Sequence, residues 1–192
     1  MNSLATIFLA SILVENVVLM RFLALCSYVG MTSDVNQSVG MGFAVTFVTV
    51  LATAVTWPLF HFVLVPLHIE FLQILVFILV IAALVQLVEF YLKKNVPGLY
   101  AAMGIYLPLI TTNCAILAVT FDNITRKYNM AQSIVYAVGV SLGYMLAMVL
   151  LAGIRDRIKA SPVPKFLQGT PILFVATALI TVAFMGFAGM IK

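Results

Sequence analysis

Long apolar runs, each roughly 20 residues or more, fill most of this 192-residue chain and are separated by short connections. A helix needs roughly 20 apolar residues to cross the hydrocarbon core of a bilayer. Hydrophobic residues make up 64% of the sequence and charged residues only 8%, whereas a soluble domain carries about 25% charged residues. Because such a chain cannot build a polar surface, we predict a single all-α polytopic membrane domain over residues 1–192.

Six runs are predicted to form transmembrane helices, with short connections between them. They cover about residues 4–25, 39–64, 71–92, 99–121, 130–154 and 171–191. Glu15, Asn16 and Arg21 interrupt the first run, and Pro108 with residues 111–113 interrupts the fourth. A broken helix in lipid is tolerated only where it faces protein or a polar cavity. Both interruptions are therefore expected at functional positions.

The positive charges lie at the ends of the apolar runs. The connections after spans one, three and five carry six of them, and the opposite side carries three. The six are Lys93, Lys94, Arg155, Arg157, Lys159 and Lys165; the three are Arg126, Lys127 and Lys192. The positive-inside rule therefore predicts that both termini lie outside. The net charge of +4 is not clustered on a solvated face, so it does not indicate nucleic-acid binding.

The two halves of the chain resemble each other, with repeat one at about residues 1–96 and repeat two at about 97–192. Asn16 and Asn113 interrupt spans one and four at corresponding positions, and the Gln-Ser pair before span two recurs before span five. Three spans per copy force the second copy to cross the membrane in the opposite direction. The sequence therefore predicts an inverted 3+3 repeat, whose sites lie near the bilayer midplane where helices are broken.

Two cysteines, Cys26 and Cys114, follow the two interruptions. Buried structural cysteines are common, and a disulfide needs a geometry that sequence does not establish. The third interpretation is ligation of a metal or cluster. Iron–sulfur clusters commonly take four thiolates, and this chain has two cysteines. A cluster here would therefore require a second chain to complete it.

The stretch Leu107-Pro108-Leu109-Ile110-Thr111-Thr112-Asn113-Cys114-Ala115 carries a specific resemblance, supported by residues 82–89, 152–156 and 183–187. These segments resemble the A subunits of the Rnf complex and the homologous E subunits of the sodium-translocating NADH:quinone reductase, Nqr. The resemblance covers essentially the whole chain. Thr112 and Arg21 favour Rnf, whereas Glu15 beside Asn16 is closer to Nqr.

The resemblance implies an inverted 3+3 subunit of a redox-driven translocase in the bacterial cytoplasmic (inner) membrane. In that family the two cysteines, here Cys26 and Cys114, bind half of an intramembrane [2Fe–2S] cluster. A homologous subunit of opposite orientation binds the other half. The Rnf assembly passes electrons between ferredoxin and NAD and moves Na⁺ or H⁺. Asn16, Arg21, Thr112 and Asn113 are expected to support the cluster.

Ionisable and polar residues inside the spans are further candidates, because such groups are costly in lipid and are functional by default. Glu15, Gln86 and Glu89 are predicted to line an ion path. The alternative for Glu89 is an interfacial pair with Lys93, four residues further along the helix. Arg21 either places positive charge near the cluster or extends to the membrane interface.

The sequence contains no phosphate-binding glycine loop after a strand, and no soluble segment large enough for a nucleotide or flavin domain. Flavin, nucleotide and further iron–sulfur sites are therefore expected on other subunits, and no catalytic residue is assigned to this chain. A stand-alone secondary transporter would use the same inverted repeat. That alternative does not explain why a thiol follows each interruption.

Overall fold

The computed structural model describes residues 4–67, 70–95, 107–162, 164 and 166–189, and every regular element within them is helical. The α-helices are α1 (Leu4–Leu9), α2 (Val17–Arg21), α3 (Leu25–Met31), α4 (Val35–Leu59), α5 (Val65–Leu67), α6 (Gln73–Asn95), α7 (Leu107–Thr111), α8 (Cys114–Thr125), α9 (Met130–Lys159) and α10 (Thr170–Met185). Two π-helical turns, Ala10–Val14 and Phe60–Leu64, continue α1 and α4, and 3₁₀ turns occupy Glu70–Leu72 and Gly186–Gly189.

Three described helical stretches are long and apolar enough to cross a membrane: Val35–Leu64, Gln73–Phe90 and Met130–Lys159. Three shorter apolar helices cover Leu4–Val14, Leu109–Thr125 and Thr170–Met185. This all-helical architecture is that of a polytopic membrane protein. The predicted start of the fourth span, residues 99–106, lies outside the described residues, so the count of six spans stays a prediction.

Helices α4 and α9 form the centre of the molecule and make its most extensive helix–helix contact. Their buried residues recur at spacings of three and four, as expected for one face of each helix. On α4 they include Met41, Val45, Val48 and Ala52, and on α9 they include Tyr136, Val140, Tyr144, Ala147 and Leu151. Gly42 lies directly against the side chain of Met145, so a small residue permits this close approach.

Several buried hydroxyl groups in these helices bond back to their own backbone. Thr49 and Thr56 on α4 donate to carbonyls four residues earlier, as does Ser141 on α9. Thr177 and Thr181 do the same on α10. Because an unpaired polar group is costly in an apolar environment, this arrangement lets the helices contain hydroxyls within lipid.

Helix α6 packs through one narrow stripe, formed by Phe77, Ile81 and Val85 at spacings of four. The rest of its surface exposes large apolar side chains, including Ile74, Leu75, Ile78, Leu79, Leu87 and Phe90. A surface of this kind suits contact with lipid chains.

Helix α9 continues to Lys159, five residues beyond the predicted end of the fifth span at about residue 154. Arginine and lysine are good helix formers. Arg155 and Lys159 also donate hydrogen bonds to carbonyls of Val29 and Ser33, which anchor this last turn. Lys165 and Lys192, two of the predicted orientation signals, lie outside the described residues.

Candidate functional site

The first predicted interruption lies at Glu15 and Asn16, between the π-helical turn and α2. Asn16 is buried and caps α2: its Oδ1 accepts hydrogen bonds from the backbone N–H groups of Val18 (3.1 Å) and Leu19 (3.4 Å). Its Nδ2 donates to the carbonyl of Gly143 on α9 at 2.7 Å. One side chain therefore restarts the helix and fixes it to the central pair.

A second interruption follows α2 and leads to the first cysteine. Phe22 and Ala24 both adopt left-handed backbone conformations, with φ of 53° and 60°. Non-glycine residues rarely occupy this region, and it is costly for a bulky side chain. The surrounding fold must therefore stabilise the turn. Ala24 precedes α3, so Cys26 lies in the first turn of that helix.

The fourth span is broken at Thr112 and Asn113, between α7 and α8. Asn113 is buried and caps α8, because its Oδ1 accepts a hydrogen bond from the Ala115 N–H at 3.0 Å. Cys114 is the first residue of α8. The positive end of this helix dipole favours negative charge at that position. Both interruptions predicted from the sequence are present in the described residues.

The two cysteine segments meet. The Ala24 N–H, two residues before Cys26, donates to the sulfur of Cys114 at 3.3 Å. Both thiols are free and exposed in this chain. The buried Tyr144 hydroxyl donates to the Ser27 hydroxyl at 2.8 Å and lies within electrostatic range of both thiols. The fold therefore gathers the predicted cysteines at one place on its surface.

The donor set fits half of a thiolate-ligated cluster. No group of three or more histidine, cysteine or acidic residues within the described ranges could hold a metal ion alone. The Ala24 N–H contact is the type of N–H···S bond that tunes such clusters. Asn113 Nδ2, beside Cys114, is buried and has no partner in hydrogen-bonding geometry among the described residues, although the Tyr144 hydroxyl is a polar neighbour. It is a second N–H donor available near the sulfurs.

Arg21 pairs with Asp122 near the end of α8. Its Nη1 lies 2.7 Å from Asp122 Oδ2, and the same oxygen accepts a hydrogen bond from the Tyr136 hydroxyl at 3.0 Å. The contact joins the two broken spans at the end of α2 opposite Asn16. The predicted role of Arg21 toward a cluster stays a prediction.

Glu15 forms the second ion pair between the broken spans. Its Oε2 lies 2.6 Å from Arg126 Nη2, and the Arg126 guanidinium lies 5.4 Å from the centre of the Tyr136 ring. Partial burial disfavours charge on Arg126, but hydrogen bonds to Glu15 and Tyr128 raise its pKa above the ordinary value. These residues line a small cavity of about 110 Å³, together with Thr6, Ile7 and Ala10.

The other two predicted ion-path residues lie on α6. Gln86 is exposed and Glu89 is half-buried, three residues apart on that helix. They belong to a different element from Glu15, which lies at the break in the first span. Of the three residues, Glu15 lies at a break, whereas Gln86 and Glu89 lie on α6, which packs against α7 and α8 of the other broken span.

Asp122, Tyr136 and Tyr144 belong to this site but were not predicted from the sequence, and Arg126 was assigned only to membrane orientation. A signal was available for two of them. Asp122 and Arg126 lie four residues apart at the end of a broken span, and each is opposite in charge to a residue in the other broken span. Nothing in the sequence indicates which tyrosines would face the cysteines.

The family described as "Rnf-Nqr subunit, membrane protein" matches residues 4–191. The A subunit of the ion-translocating oxidoreductase complex of Syntrophotalea carbinolica is 49% identical over 191 residues, covering 100% of this chain and 99% of the relative. The A subunit of the Na⁺-translocating ferredoxin:NAD⁺ oxidoreductase complex of Acetobacterium woodii is 50% identical, covering 98% of each chain. The A subunit of the proton-translocating ferredoxin:NAD⁺ oxidoreductase complex of Clostridium ljungdahlii is 44% identical over the full length of both.

These similarities extend across all the segments that carried the sequence resemblance, including the Pro108–Cys114 run, and they confirm it. The relatives' names are those of A subunits, in agreement with the Rnf side of the prediction. The chain belongs to the Rnf-Nqr subunit family of membrane proteins.

Proposed function

We propose that this chain is the A subunit of an Rnf-type, ion-translocating ferredoxin:NAD oxidoreductase in the bacterial inner membrane. Three relatives that match it along nearly their whole length carry A-subunit names of ion-translocating oxidoreductase complexes, and two of these names specify ferredoxin:NAD⁺. One is named for Na⁺ and another for protons, so the proposal covers both ions. The flavin, nucleotide and further iron–sulfur sites belong to other subunits.

We further propose that Cys26 and Cys114 bind half of an intramembrane [2Fe–2S] cluster. A homologous subunit of opposite orientation supplies the other two thiolates. The observation that carries this proposal is the hydrogen bond from the Ala24 N–H to the Cys114 sulfur, which brings the two cysteine segments together. When bound, the cluster supplies a one-electron carrier within the membrane.

The residues around the thiols hold them in position. Asn113 caps α8, whose first residue is Cys114, and Asn16 caps α2, the short helix before the turn that leads to Cys26. The Ala24 N–H favours negative charge on the Cys114 sulfur, and the buried Asn113 Nδ2 is a donor available to a bound cluster. Hydrogen bonds of this kind raise the reduction potential of a cluster. Exposure of both thiols leaves them open to contact with a neighbouring chain.

The proposed architecture is six spans in an inverted 3+3 repeat with both termini outside. Several parallels support it. Asn16 and Asn113 accept hydrogen bonds from the N–H two residues further along in the same way. Ile81 and Val85 on α6 are buried, and so are Ala176 and Ile180, which lie at the corresponding positions of α10.

The ion path is proposed to pass Glu15, with Gln86 and Glu89 on a separate helix. Glu15 is the best supported of the three, because it lines a cavity beside the broken span. Its carboxylate is neutralised by Arg126, so cation entry at this point would require that pair to separate.

Replacement of the cysteines tests the proposal. We expect the purified complex to give a [2Fe–2S] signal in electron paramagnetic resonance that is absent from the Cys26→Ala and Cys114→Ala variants, while the signals of other centres remain. Thr125→Ala is the matched control, because Thr125 is exposed at the far end of α8 and bonds only to its own helix among the described contacts. A full-strength signal in either cysteine variant would refute cluster ligation and leave the family assignment intact.

A further inference from the structure

A basic cavity lies where the end of α9 meets the start of α10, and neither cysteine lines it. It has a volume of about 290 Å³ and is lined by Arg155, Lys159, Ser161, Gln168 and Gly169, with Ile158, Ile172 and Leu173 forming its apolar part. Gly169 precedes α10 and has no side chain to cap it, so the first N–H groups of that helix border the cavity.

The cations at this cavity are held by the fold. Arg155 donates to the Val29 carbonyl at 3.3 Å and to the Thr32 hydroxyl at 3.5 Å. Both of these bonds start from Nη1, and a guanidinium carries five N–H donors. Donors therefore remain for a ligand on the cavity side.

Lys159 donates to the Ser33 carbonyl at 3.3 Å and pairs with Asp156 at 3.1 Å. Asp156 is the acidic residue of this turn, which also contains Arg157. The charges of residues 155–159 are three positive and one negative, a net of +2. The turn therefore retains an excess of positive charge after its own ion pair is formed.

An apolar groove adjoins the basic cavity. It has a volume of about 490 Å³, is lined by Val149, Leu150, Gly153 and Ile154 with Arg157 at its end, and shares Ile158 and Ser161 with the basic cavity. A Cβ at Gly153 would meet nothing within 4 Å, so the groove is open at that residue. A charged cavity and an apolar groove are thus continuous along the last turns of a membrane helix.

We propose that this composite site binds an anionic phospholipid. The phosphate group occupies the cavity between Arg155, Lys159 and the start of α10, and an acyl chain lies in the groove along Gly153. Basic pockets between membrane helices at the bilayer surface recognise anionic head groups. A free phosphate ion would use the cavity but not the groove, so the groove distinguishes a lipid from a soluble anion.

Native mass spectrometry of the purified protein, with the subunits that copurify, tests this site. Phosphatidylglycerol, phosphatidylcholine and inorganic phosphate are titrated separately as probes. We expect phosphatidylglycerol to bind more tightly than phosphatidylcholine, and Lys159→Gln to weaken its binding by about fivefold, as expected for one surface charge. Gly153→Leu places a side chain in the groove at a position where a Cβ meets nothing within 4 Å, and it should also weaken the binding of phosphatidylglycerol.

Lys94→Gln is the control, because it removes a charge from the exposed last turn of α6, where Lys94 does not line the site. The proposal would be overturned if both lipids bound equally, or if the Lys94 and Lys159 variants lost the same amount of phosphatidylglycerol affinity. Either result would mean that binding depends only on the general surface charge. If Gly153→Leu binds phosphatidylglycerol with full affinity, or if inorganic phosphate displaces phosphatidylglycerol from that variant, the site recognises phosphate rather than a lipid.

Discussion

Asn16 and Asn113 occupy corresponding positions at the two breaks, but their amide nitrogens differ. Each Oδ1 caps the helix that follows. Asn16 Nδ2 also donates to Gly143 on the neighbouring helix at 2.7 Å. Asn113 Nδ2 is buried without a partner in hydrogen-bonding geometry among the described residues. The same residue type therefore stabilises the fold at one break and leaves a donor for the candidate cluster at the other.

Substitution of each asparagine by serine tests these two roles separately, because a serine hydroxyl can still cap the helix. Asn16→Ser loses the bond to Gly143 and should reduce the free energy of unfolding by about 1 kcal/mol. Asn113→Ser should leave stability nearly unchanged and lower the reduction potential of the proposed cluster, since one N–H donor is lost. Thermal unfolding and a redox titration of the complex measure the two effects. Equal destabilisation by both variants would contradict the different roles.

At the scale of helices, two glycines of α9 allow the first broken span to pack closely against it. A side chain at Gly139 would collide with Ser11, and a Cβ at Gly143 would lie 3.0 Å from the Ile12 carbonyl oxygen. Gly40, near the start of α4, has nothing within 4 Å. Close packing is therefore the role of the α9 pair, as the spacing of small residues predicts.

Alanine substitution should have opposite effects at these glycines. Gly143→Ala forces the backbone of the first span away and should destabilise the protein by about 1–3 kcal/mol. Gly40→Ala should be neutral or stabilising by up to about 1 kcal/mol, because alanine is the better helix former. Thermal unfolding of the purified protein compares the two variants. A similar effect at both positions would exclude packing against Ile12 as the reason for Gly143.

The sequence predicted the helices and both breaks because lipid leaves few alternatives: a span must be helical, and polar residues interrupt it visibly. It also selected Cys26 and Cys114, which the fold brings together. It could not predict the pairing of Arg21 with Asp122 or the contact of Tyr144 with Ser27. Those contacts depend on how separate helices align in three dimensions, which the hydropathy of each helix does not encode.

For the whole molecule, the two ion pairs have a common arrangement. Glu15 and Arg21 belong to the first predicted repeat, and Arg126 and Asp122 belong to the second. Each pair joins opposite charges across the repeats, so the network is neutral overall and ties the two broken spans together at the end of α8 away from Cys114. Any ion movement that separates one pair would therefore remove one of the links between the two spans that carry the cysteines.

Orientation of the whole chain follows from its basic residues, six on one predicted side and three on the other. The positive-inside rule predicts that both termini lie outside. A C-terminal alkaline phosphatase fusion should then be active, because that enzyme folds only outside the cytoplasm, and a C-terminal green fluorescent protein should be dark. Fusions that end after Lys94 are the matched control and should behave in the opposite way. Fluorescence from the C-terminal fusion would show that the orientation is opposite to the predicted one. An ion would then reach Glu15 from the other side of the membrane.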